Sequence, residues 1–151
     1  MWVLRMSLAP AIVTIATAAC LSSEWKQFRD MCYWRSDYGL TWMDAERACV
    51  STFPGSDMVS IHDLYLDAFI ADDLLSGQPA WLGLHRASGS EPWVWTDGSA
   101  YNYTRWFGGK PDCISDRFEC CATINHGNQG DWTGWYCTDQ YHYCMCQMEA
   151  S

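Results

Sequence analysis

Two stretches decide the fold: Trp81-Leu82-Gly83-Leu84 and Trp93-Val94-Trp95-Thr96-Asp97-Gly98-Ser99. Both are aromatic and aliphatic runs closed by Gly, Asp or Ser, the composition of short strands bounded by turns. Working outward, the region around Thr123 and the segment Tyr141–Met145 share this texture and read as further strands. Upstream the pattern is helical. Leu40–Cys49 reads as a helix, with Thr41 at the N-cap, Asp44 three residues on, and Trp42, Ala45 and Cys49 on one face. Phe53-Pro54-Gly55-Ser56 ends it. A second helix is predicted over Leu64–Leu75, where Leu66, Phe69, Ile70 and Leu74 recur at helical spacing before Ser76-Gly77. Helices first and strands later predict an α+β fold.

The chain has 151 residues, the length of one domain. Acidic residues outnumber basic ones 18 to 9, giving a net charge of -9. That balance excludes phosphate-backbone binding, which depends on Lys and Arg, so nucleic acid is not an expected partner. The first residues differ from the rest. Arg5 is followed by an uncharged run from Met6 to Ala19, and Ala16-Thr17-Ala18 makes an A-x-A exit. This is the pattern of a secretory signal peptide over 1–18, and the run falls short of the roughly 20 apolar residues a membrane span needs. Residues 19–151 are then the mature domain, secreted and extracellular, with no membrane span expected.

Secretion governs the reading of nine cysteines. In an oxidising compartment a cysteine-dense chain is stapled by disulfides. Cys120-Cys121 and Cys144-Met145-Cys146 do not match the C-x(2–4)-C spacing of structural zinc. No H-E-x-x-H pair and no G-x-S-x-G elbow is present among the residues around His62, His85, His126 and His142, so no enzyme is expected. Asn102-Tyr103-Thr104 is an N-glycosylation acceptor.

The order Cys32-Tyr33, Thr41-Trp42, Ala45, Cys49, Val59-Ser60-Ile61-His62, Trp81-Leu82-Gly83-Leu84, Trp93 to Ser99, Trp106, Pro111-Asp112, Cys121, Trp132, Cys137 and Cys146 resembles the C-type lectin-like domain. The resemblance covers about Cys20 to Met148. It implies two helices flanking small antiparallel sheets, a long loop, and disulfide staples. It pairs Cys49 with Cys146, Cys121 with Cys137, and Cys20 with Cys32 as in the long-form domains. Cys113 and Cys120 flank one stretch of the long loop and are candidates for a local bond. That leaves Cys144 as a free thiol or as the link to a second subunit.

The resemblance also assigns the loop chemistry. Trp81, Trp93, Trp95, Trp106 and Trp132 match core positions, whereas Trp135, Tyr136 and Phe107 match none and are read either as rings that stack on a sugar or as loop packing. In calcium-dependent lectins a Glu-Pro-Asn or Gln-Pro-Asp triplet, a later Glu and an Asn-Asp pair hold calcium, which binds two sugar hydroxyls. Here the triplet is Lys110-Pro111-Asp112, Glu119 matches the later acid, and Thr133-Gly134 replaces the pair, so two of five ligands survive. Calcium wants six to eight oxygens, so no tight site is expected. By this alignment Lys110→Glu or Gln, Thr133→Asn and Gly134→Asp together should restore calcium affinity. Lys110, Asp112, Glu119, Thr133 and Trp135 are the candidate ligand-binding residues, Asp112 and Glu119 the remnant metal ligands, and glycans or glycoproteins the expected partners. The alternative is a calcium-independent protein-binding or structural module of the same fold.

Overall fold

The computed structural model describes residues 17–113, 118–138 and 141–151; most of the expected leader lies outside them. The elements run β1 (Lys26–Phe28), β2 (Met31–Leu40), α1 (Trp42–Thr52), β3 (Asp57–Met58), α2 (Leu64–Ala68, continuing as π-helix Phe69–Leu74), β4 (Ala80–Arg86), β5 (Val94–Trp95), β6 (Cys120–Ile124), β7 (Trp132–Tyr136) and β8 (His142–Glu149). The sheet order is β1-β2-β8-β4-β6-β7, with β3 on β8 and β5 on β4. All pairings are antiparallel except the contact of β8 with β4. The fold is α+β, with the helices flanking the sheet.

Strand alternation sorts the apolar side chains onto two faces. Leu82, Leu84, Ala122, Ile124 and Met145 meet Leu66, Ile70 and Leu74 of α2 on one face. Trp81, Cys121, Cys144 and Cys146 meet Trp42, Ala45 and Cys49 of α1 on the other. Burial on both faces explains why β4 reads as a continuous apolar run. The two central indoles find backbone partners, as buried N–H groups require: Trp42 Nε1 donates to Leu82 O and Trp81 Nε1 to Leu40 O, each at 2.8 Å.

The first helix begins where its cap dictates, with Thr41 Oγ1 accepting from Asp44 N at 3.3 Å. The second departs from the predicted single helix over Leu64–Leu75. Asp63 caps it by accepting from Tyr65 N and Leu66 N, but only five residues are α-helical before the coil widens into a π-turn that packs Ile70, Ala71 and Leu74 inward. Ser76 and Gly77, both at positive φ, end it. The helices-first order also needs correction, because β1 and β2 precede α1. β2 pairs along most of its length with the last strand, so an early strand and the last one lie side by side in mid-sheet.

A buried polar knot ties the turn after β5 to this centre. Ser60 Oγ donates to Asp97 Oδ2 at 2.5 Å and accepts from Gln147 Nε2 at 3.0 Å. Burial alone raises the Asp97 carboxyl, yet hydrogen bonds from Ser60 and Ser99 hold it below its usual range.

Four disulfides join Cys20 to Cys32, Cys49 to Cys146, Cys113 to Cys120 and Cys121 to Cys137. Cys144 is the free thiol, and burial pushes it up to about 12. Its Sγ lies 3.5 Å from Cys49 Sγ and 3.8 Å from Cys146 Sγ. Cys144 is buried, so an inter-chain bond through this thiol would require the core to open.

Candidate functional site

The long loop leaves the sheet after β5 and returns through β6 and β7. An aromatic wall braces its base. Trp132 is fully buried, and Trp95, Trp106 and Tyr103 pack edge-on against it with centroids at 5.7, 5.8 and 5.7 Å. Trp93 and Trp106 lie 4.8 Å apart. Trp81, Trp93, Trp95, Trp106 and Trp132 are all buried.

A charged pin holds the loop from beneath. Asp67 of α2 is fully buried; its Oδ1 accepts from Trp132 Nε1 and its Oδ2 from Arg105 Nη1, both at 2.8 Å. Arg105 Nε also lies 3.4 Å from Asp131 Oδ1. Burial raises the Asp67 carboxyl, and the bonds from Trp132 and Arg105 oppose that rise. Sequence reading missed Asp67. The available signal was its position four residues before Ala71 and three before Ile70, on the apolar face of its own helix.

The β6–β7 ribbon separates the predicted ligand residues onto two sides. Asp112 lies on the Gly134 side, where its Oδ1 accepts from Gly134 N at 2.6 Å. Cys113 is bonded to Cys120 there and crowds the same glycine: a Cβ on Gly134 would stand 2.7 Å from Cys113 Cβ. Thr133 points to the other side, where its Oγ1 meets Thr123 Oγ1 at 2.8 Å and accepts from Trp135 Nε1 at 3.0 Å. Glu119 is also there, with a carboxylate oxygen within 4.8 Å of the Cys121 and Cys137 sulfurs, which are bonded to each other. Its Oε1 is 3.9 Å from His85 Nδ1, but burial lowers the His85 pKa and keeps that ring neutral near pH 7. Lys110 is exposed and forms no ion pair among the described residues. The Lys110–Pro111 bond is trans.

These residues do not fit a calcium ion. The two surviving carboxylates, Asp112 and Glu119, lie on opposite sides of a strand pair, the Thr133 hydroxyl is engaged inward, and Gly134 has no room for a side chain. The side chain that Gly134→Asp would add to rebuild the site would meet Cys113. Chemically, the loop offers aromatic and cationic contacts. Phe107 and Tyr136 are exposed, Trp135 is half-buried against His126, and Lys110 presents a free ammonium. Asn102 of the glycosylation acceptor is exposed. No helix among the described residues is long and apolar enough to cross a membrane.

Comparison with known proteins agrees with this architecture. The profile of the Lectin C-type domain matches residues 38–148. Lectin BRA-3 of Megabalanus rosa is 27% identical over 147 residues, spanning 95% of this chain and 88% of that protein. A C-type lectin of Micrurus corallinus is 29% identical over 151 residues, spanning 95% and 96%. The crystal structure of a calcium-independent type II antifreeze protein superposes with a TM-score of 0.77 at 26% identity, covering 90% of this chain and 98% of that one. With the sheet order, the disulfides and the tryptophan-braced loop already in place, these matches show that the chain belongs to the C-type lectin domain family.

Proposed function

We propose that this chain is a secreted binding module that takes carbohydrate through its long-loop surface without a calcium ion in the loop. One observation carries the reading: Asp112 caps Gly134 N while Glu119 and Thr133 face the opposite side of the ribbon. Carbohydrate binding is supported by the family, and secretion by the leader-like sequence 1–18. Contact then falls to aromatic faces and one ammonium rather than to a metal. Phe107 and Tyr136 supply apolar ring surface, Trp135 lies on the Thr133 side of the ribbon, and Lys110 supplies three donors for sugar oxygens. A glycan array probed in millimolar calcium and again in chelator tests this. The expected result is the same set of bound glycans in both conditions, weakened by Phe107→Ala and Lys110→Ala. Binding only in calcium would overturn it.

A second reading, a protein-binding module of the same fold, is favoured by one feature. Met43, Phe118 and Tyr136 are exposed around a cavity of about 440 Å³, with the Phe118 and Tyr136 rings edge to face at 5.5 Å. An array empty in both conditions would favour this reading over carbohydrate.

A further inference from the structure

The register of β2 against β8 slips between Arg35, paired with Met145, and Gly39, paired with Tyr143. Ser36, Asp37 and Tyr38 therefore stand opposite the single residue Cys144. Ser36 turns inward and pins this bulge, its Oγ accepting from Cys144 N at 2.9 Å and donating to Tyr38 O at 2.7 Å. Such bulges re-aim side chains, and here Asp37 and Tyr38 become the shared wall of two surface depressions of about 320 and 430 Å³. Gln78, Tyr141 and Tyr143 line the first, and Glu24, Lys26, Trp34 and Arg35 the second. Gly39 permits the closure, because a Cβ there would stand 3.2 Å from the Tyr141 Cβ.

The lining combines aromatic rings with carboxylates, an amide and phenols. Tyr38 and Tyr141 are 59% and 71% exposed. Among the described residues, the Glu24 and Asp37 carboxylates, the Gln78 amide and the Tyr38, Tyr141 and Tyr143 hydroxyls have no protein hydrogen-bond partner. Arg35 lies over the Tyr143 ring, 4.7 Å from its centroid, and holds that ring in the wall. Glu24 and Asp37 balance Lys26 and Arg35 in charge.

We propose that this groove is a second binding site, for a neutral oligosaccharide lying across both depressions. Sugar rings present apolar faces to aromatic side chains and hydroxyls to carboxylates, amides and phenols, the set of groups assembled here. The balance of charge selects a neutral ligand. None of the long-loop residues Phe107, Lys110, Asp112, Thr133 and Trp135 lines either depression.

The test is an amide chemical-shift titration of the ¹⁵N-labelled full domain, in chelator, with mannotriose, maltotetraose and N-acetylchitotriose at millimolar concentration. The expected result is saturable shifts at residues 37–39 and 141–143 with at least one of the three. Binding should weaken at least ten-fold in the Tyr38→Ala, Tyr141→Ala double variant, whose exposed positions leave the remaining spectrum in place. No shifts with any probe, or shifts unaffected by the double variant, would overturn the groove. Shifts confined to 105–112 and 133–136 would overturn it while leaving the long-loop reading intact, and shifts confined to the groove would do the reverse.

Discussion

At the scale of a residue, Gly134 settles what the loop can hold. A Cβ there would meet Cys113 Cβ at 2.7 Å and Cys113 N at 3.0 Å. The Gly134→Asp substitution, alone or with Lys110→Glu and Thr133→Asn, should therefore destabilise by about 1–3 kcal/mol through overpacking. Millimolar calcium should not raise the melting temperature of the triple variant, since only a ligand bound to the folded state stabilises it. A calcium-dependent rise would show that the Cys113 backbone yields. His142 sets a pH response. Burial, with His126 alongside, lowers its pKa to about 4 from an ordinary value of 6.5. The fold therefore favours the neutral ring, and this stability is full above pH 6.5 and drains as pH falls toward 4. The loss amounts to about 3 kcal/mol once both states are protonated. Melting temperatures between pH 7 and 4 should fall less steeply for His142→Phe than for the parent, and equal slopes would remove His142 from the account. At Asn102, exposed in its acceptor, protein from a glycosylating host should carry a mass that amidase removes; an unmodified peptide at that position would refute the assignment.

At the scale of elements, the pin between α2 and the long loop is the joint whose loss should be felt most. Arg105→Ala leaves the Asp67 carboxylate buried with one donor, Trp132 Nε1, and should cost about 3 kcal/mol. Asp131→Ala removes the outer partner of Arg105 and an exposed hydrogen bond from Asn128 Nδ2, and should cost under about 1 kcal/mol. Denaturant melts of the two variants compare them directly, and equal losses would show that the pin contributes no more than a surface pair. This joint was invisible in the sequence because an aspartate in an apolar stripe looks like a solvated residue until its indole and guanidinium partners arrive from 65 and 38 positions away. What was legible had local causes. Thr41 announced α1, and the tryptophan-rich runs announced β4 and β5. β2 escaped because Arg35, Ser36 and Asp37 at its bulge erase the alternation, and β7 because Gly134 interrupts it. The loop ligands were read individually from their residue types, but which side of the ribbon each would face depends on pairings the sequence does not display.

At the scale of the whole molecule, the closure between Cys49 and Cys146 spans 97 residues and in the loop-entropy model stabilises by about 4–5 kcal/mol. Cys144 stands beside it as a built-in substitute. Oxidative folding of Cys146→Ala should yield a Cys49–Cys144 bond enclosing nearly the same loop, detected by mapping of unreduced peptides, whereas two free thiols in that peptide pair would show that the geometry of β8 forbids it. The aromatic wall has a different consequence. Indole rings with centroids 5–6 Å apart do not absorb light independently; their π–π* transitions mix, and fixed mutual angles turn the mixing into circular dichroism of paired sign. Trp93, Trp95, Trp106 and Trp132 form such an array, with Tyr103 at its edge. The loop thus carries its own chromophore, which would fall silent when the loop lifts from the sheet even while the disulfides keep the chain closed.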